Sequence, residues 1–134
     1  MRQLSFIILV FILTSCGHSS AIDKKLSGCD SLVITFNVPG SDSVLNIVST
    51  TEKKAISKLS GFMQGKNDSA MNCGFDGNLI FYRKGEIILP VIFQYNQEKC
   101  RYFKFKLDDQ VMNCPMSNEG VAFFKSLAEG KPWY

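Results

Sequence analysis

The stretch IILPVIFQY, Ile87–Tyr95, is followed after a short turn by RYFKFKL, Arg101–Leu107. Side chains along a strand alternate between its two faces. A strand here sends Ile87, Leu89, Val91, Phe93 and Tyr95 to one side, an unbroken apolar row. The second segment alternates Phe103, Phe105 and Leu107 with Tyr102, Lys104 and Lys106. Placing the two apolar rows on one face pairs Phe93 with Phe103 and Val91 with Phe105 across an antiparallel hairpin. That face is the expected core. Asp108-Asp109 makes the next turn, into a strand Gln110–Cys114 that sets Met112 against Phe105 and Cys114 against Phe103, pointing inward. Pro115 stops that strand.

Working outward, Leu79–Arg83 reads as the strand before this pair, with Lys84-Gly85 as a tight turn. SLVITFNV, Ser31–Val38, is rich in β-branched and aromatic residues. Turn residues Pro39–Asp42 separate it from a second strand, Val44–Val48. Ser49 to Glu52 matches a capping box, with serine at the N-cap and glutamate three residues later. The helix it opens places Ala55, Ile56, Leu59, Phe62 and Met63 on one face, and Lys53, Lys54, Ser57 and Lys58 on the solvated one. Gly65–Gly77 is a polar loop. Ser117 can cap a last helix with Val121, Phe124, Leu127 and Ala128 inward, closed by Gly130. The order ββ-α-ββββ-α predicts an α+β fold: one antiparallel sheet of about six strands, with two helices packed on one face.

The other face of that sheet carries Phe81, Ile88, Ile92, Tyr102, Lys104 and Lys106. An apolar centre with a basic rim is less polar than the solvent side of an antiparallel sheet requires. A partner-binding surface is the functional reading. Cover by loops, by the first hairpin or by a dimer mate is the structural alternative.

The chain opens with Met1-Arg2-Gln3 and an apolar run, Leu4–Leu13, too short to span ~30 Å of hydrocarbon. A positive start, a short apolar run and a small-residue boundary describe a secretory signal peptide. Its boundary, Leu13-Thr14-Ser15-Cys16, resembles the lipobox of bacterial lipoprotein precursors. The resemblance implies cleavage before Cys16, lipidation of that thiol and attachment to a membrane. It assigns residues 1–15 to the signal peptide, 16–28 to a lipidated tether and 29–134 to a single domain. Ordinary cleavage near Ser20-Ala21 is the alternative. No acidic residue follows Cys16 closely, which favours the outer membrane, facing the periplasm.

The remaining cysteines are Cys29, Cys73, Cys100 and Cys114. An even number in an oxidising compartment suggests disulfides. Parity argues against pairing Cys100 with Cys114, while Cys73, just ahead of the Leu79 strand, is expected to meet Cys100 near the same end of the sheet, leaving Cys29 for Cys114 by elimination. Their wide spacing does not suit a metal site.

Catalytic readings find little support. His18 is the single histidine and sits two residues from Cys16, away from the domain. Asp108-Asp109 is turn chemistry. Asp76, in CGFDGN, lacks the alternating oxygens of a calcium loop. A net charge of +3 over 134 residues supplies no basic stripe for nucleic acid. No cofactor motif appears. A non-enzymatic binding module acting through a protein partner, of inhibitor or immunity type, is the expectation. An accessory subunit of an outer-membrane assembly is the alternative. The lipoprotein inhibitors of lysozyme share the anchor and size, but their Ser-Gly-x-x-Tyr loop is absent.

Overall fold

A computed structural model describes residues 19–68 and 73–133. The elements are α1 (Ser19–Leu26), β1 (Ser31–Asn37), β2 (Val44–Thr50), α2 (Lys53–Phe62), β3 (Gly77–Arg83), β4 (Glu86–Gln94), β5 (Tyr102–Leu107), β6 (Gln110–Pro115) and α3 (Asn118–Ala128). The strands form one antiparallel sheet in the order β2-β1-β3-β4-β5-β6. The fold is α+β, with one helix more than the sequence suggested.

The central register is the one that the alternating pattern requires. Val91 pairs with Phe105, Phe93 with Phe103, Phe103 with Cys114 and Phe105 with Met112. Phe93, Phe103 and Phe124 form one aromatic cluster, the first and last 4.6 Å apart between ring centroids. Leu32, Ile34, Phe36 and Leu79 extend the same inner face, and Ile56, Leu59, Val121 and Leu127 descend on it from α2 and α3. Pro90 is tolerated in β4 because the β4–β5 pairing begins only at Val91, so its missing N–H falls just beyond the ladder.

Three local expectations change. α2 begins at Lys53, not after Ser49. Glu52 holds the N-cap position without a side-chain cap, while Thr50 Oγ1 accepts from the Glu52 N–H at 3.1 Å. Ser49 cannot cap because it is still paired in β2, opposite Val33. Lys58 is not a solvated lysine. It lies 4.5 Å over the Phe123 ring and donates to the Trp133 carbonyl, holding the C-terminal segment against the core.

The third change is α1. Residues 19–26, read as tether, form a helix whose Ile22 and Leu26 are buried in the main core. α1 packs on α2 and β4. The chain then turns at Gly28, whose φ of +77° suits glycine, with Arg83 Nη1 donating to the Ser27 carbonyl. Ser117 does cap α3, accepting from the Gly120 N–H at 3.1 Å. No helix among the described residues is long and apolar enough to cross a membrane.

Candidate functional site

The buried side chains of all three helices join one cluster with the inner face of the sheet. Among the described residues, no helix packs on the opposite face. Register fixes its composition. One cross-strand row runs Ile47, Thr35, Asn78, Ile92, Lys104, Asn113, and the next begins Ser49, Val33, Ile80, Pro90. Ile47 is 58% exposed, and Val33, Ile80 and Ile92 are half-buried. Lys104 is half-buried and Lys106 exposed. The apolar strip therefore spans β2, β1, β3 and β4, with lysines beside it on β5.

Ile92 and Lys104 thus occupy the face assigned to them. Phe81 and Ile88, assigned to the same face, do not, and Tyr102 is covered there. Phe81 is fully buried in the core, because β3 sends Leu79 and Phe81 inward together, opposite Val91 and Leu89. Ile88 leans on the core because the register slips between Phe81 and Tyr82, which pair with Leu89 and Ile87. That bulge also turns Ile87 out, 58% exposed, although its odd position placed it inside. Tyr102 does lie on the outer side of the sheet but is only 5% exposed. Its hydroxyl donates to the Gly74 carbonyl at 2.6 Å, so the loop at residues 73–76 covers it. In return the face gains Ile47, Val33 and Ile80 from the first hairpin and β3. The alternation that turns Val33 outward was legible in SLVITFNV, but the strand order that puts β1 beside β3 was not.

That covering loop is tied down twice. Cys73 and Cys100 are joined as a disulfide, with Cα atoms 6.3 Å apart. Asp76 Oδ2 accepts from the Tyr95 and Asn96 N–H groups at 2.7 and 2.9 Å, which accounts for Asp76 as turn chemistry. The second expected bridge does not form. Cys29 and Cys114 are free, buried thiols. Cys29 precedes β1 while Cys114 lies on β6, four strands away in the sheet. At ~4.8 Å per strand that distance far exceeds the ~7 Å a disulfide can bridge. Burial raises the pKa of both thiols. At Cys29 the Arg83 guanidinium opposes that rise. Cys114 donates its S–H to the Gly65 carbonyl at 3.3 Å. Both are therefore protonated and poorly nucleophilic at neutral pH.

Asp108 and Asp109 both have positive φ, in the tight turn between β5 and β6. Among the described residues, no three His, Cys, Asp or Glu side chains converge to hold a metal ion. Cys16 and His18 lie outside the described residues. An open groove of about 730 Å³ lies between the ends of β1 and β2 and Trp133. Glu52 is the one ionisable side chain among the described residues that line it. No family model matches this chain, and no curated protein or solved structure matches it either.

Proposed function

We propose that this chain is a lipid-anchored binding module of the bacterial envelope, which holds a protein partner against the outer face of its sheet. Anchorage rests on the lipobox-like Leu13-Thr14-Ser15-Cys16, and the outer membrane, facing the periplasm, is the compartment it favours. The observation that carries the binding reading is the apolar strip Ile47, Val33, Ile80, Ile92, which no helix of the described chain covers. An apolar centre beside charged residues is the anatomy of a protein-binding patch. Lys104 and Lys106 beside the strip favour a partner with acidic groups at its margin. Inhibition of a hydrolase or neutralisation of a toxin needs no catalytic residue, only such a face.

Chemical crosslinking of the anchored protein in its own membrane, followed by mass spectrometry, identifies the partner. Ile92→Lys should then abolish capture of that protein while leaving the thermal midpoint of the domain nearly unchanged, since Ile92 lies outside the core. Lys125→Glu, on the exposed side of α3, should capture as wild type does. If Ile92→Lys folds and captures the same partner at the same yield, the face is not the site.

A further inference from the structure

The two edges of the sheet are treated differently. On β6, the outward backbone of Asn113 is satisfied by the chain itself: its N–H donates to Asn67 Oδ1 at 2.9 Å, and its carbonyl accepts from the Asp68 N–H at 2.8 Å. Nothing comparable lies along β2 among the described residues. Proteins normally guard such edges with charges, prolines or a covering segment. The sequence of β2 is VLNIVST, without a charge or a proline. Val44, Leu45 and Ile47 on it are each more than half exposed.

Its free hydrogen-bonding groups can be identified. The Asn37 N–H donates to the Asp76 carbonyl, on the β3 side of β1. Backbone direction alternates along a strand. Phe36, Ile34 and Leu32 therefore bond toward β2, to Asn46, Val48 and Thr50 opposite them. Ile47 and Ser49 are left with their N–H and C=O groups pointing off the sheet.

We propose that this edge is a homodimer interface, in which β2 pairs antiparallel with β2 of a second copy about a two-fold axis at Val48. In that register Ile47 of each copy faces Ser49 of the other, and these four residues exchange four backbone hydrogen bonds. A register centred on Ile47 does less well, because the bulge at Phe36/Asn37 disturbs β2 beside Leu45, the residue that would have to answer Ser49. Pairing about Val48 also sets outer-face residues against outer-face residues, so both sets of helices stay on one side. Charge agrees. The strand it pairs carries no charge, so no like charges meet across the axis. The result is one isologous twelve-stranded sheet, with both α1 helices on the same side and both outer faces on the other.

The test uses the full chain in its anchored form, extracted in detergent. Sedimentation equilibrium at matched detergent density should give twice the monomer mass at every detergent-to-protein ratio tried. Val48→Cys should form a disulfide-linked dimer as the major species on a non-reducing gel, whereas Val111→Cys, on β6, should not. Ser49→Pro removes a donor that points off the sheet and spares the pairing with β1. It should weaken the dimer about tenfold or more while the thermal midpoint of the monomer holds. A monomer mass overturns the proposal. So does a dimer that Ser49→Pro leaves intact, or a Val48→Cys chain that crosslinks no better than Val111→Cys. The wild-type mass decides the matter if Val48→Cys fails to fold.

Discussion

Asp108 and Asp109 hold φ angles of +49° and +62°, a region that L-residues enter at a cost and glycine enters freely. Both sit between Leu107 and Gln110, which pair directly, so the turn is a two-residue hairpin of the primed kind. Aspartate tolerates the left-handed region better than most side chains, and at the first position it is a favoured residue. At the second, glycine fits best. Asp109→Gly should therefore raise stability by about 0.5 kcal/mol, and Asp109→Val should lower it by more than about 1 kcal/mol. Urea titration of the two variants measures both signs. Gly77 is the opposite case. A Cβ there would collide with the Thr35 carbonyl and the Phe93 ring, so glycine is required by close approach of β1 and β4 rather than by its φ.

At the level of elements, α1 carries the clearest consequence. Leu26 is buried against the core although it stands in a segment that composition alone reads as tether. Leu26→Ala should cost about 2–4 kcal/mol by loss of that packing, whereas exposed Lys25→Ala should change stability by less than about 0.5 kcal/mol. Equal, small effects would show that α1 does not hold the domain. The sequence hid α1 because eight residues with two buried apolar positions make no persistent helical period. By contrast, the register that joins β4, β5 and β6 from Val91 onward was legible, since an unbroken alternation admits one register only. The candidate face was legible where that alternation ran, at Ile92 and Lys104, and misread where it did not. In IFYRKGEII, apolar residues stand at both parities, so Phe81 could be assigned to either face. A one-residue bulge then exchanged the roles of Ile87 and Ile88. The Cys73–Cys100 bridge followed from the place of Cys73 just ahead of β3, at the end of the sheet where Cys100 lies, whereas Cys29–Cys114 rested on elimination, and an even cysteine count does not oblige every thiol to pair.

Taken as a whole, the molecule buries protonated acids on both sides of its sheet. Cys29, Cys114 and Tyr95 belong to the helix side, and Tyr102 lies under the loop on the other. Burial raises the pKa of all four. For both tyrosines, Asp76 adds a further rise. A raised pKa in the folded state means that the fold holds the proton more tightly than the unfolded chain does. Below the ordinary values of 9.0 for the thiols and 10.0 for the phenols, both states are protonated and the full stability is present. As pH climbs past 9 the unfolded thiols ionise first, then past 10 the unfolded phenols, and each ionisation favours unfolding. The ion pair of Lys131 with Glu129, at 3.0 Å, is exposed on both sides and contributes little. Denaturant midpoints measured from pH 7 to 11 should thus be level to about pH 8.5, fall beyond 9 and fall further beyond 10. Cys114→Ala should remove part of the first decline and none of the second, because only a thiol titrates there. A midpoint that stays level to pH 11 would mean that these four groups ionise as readily in the fold as outside it, and that the packing around them admits water.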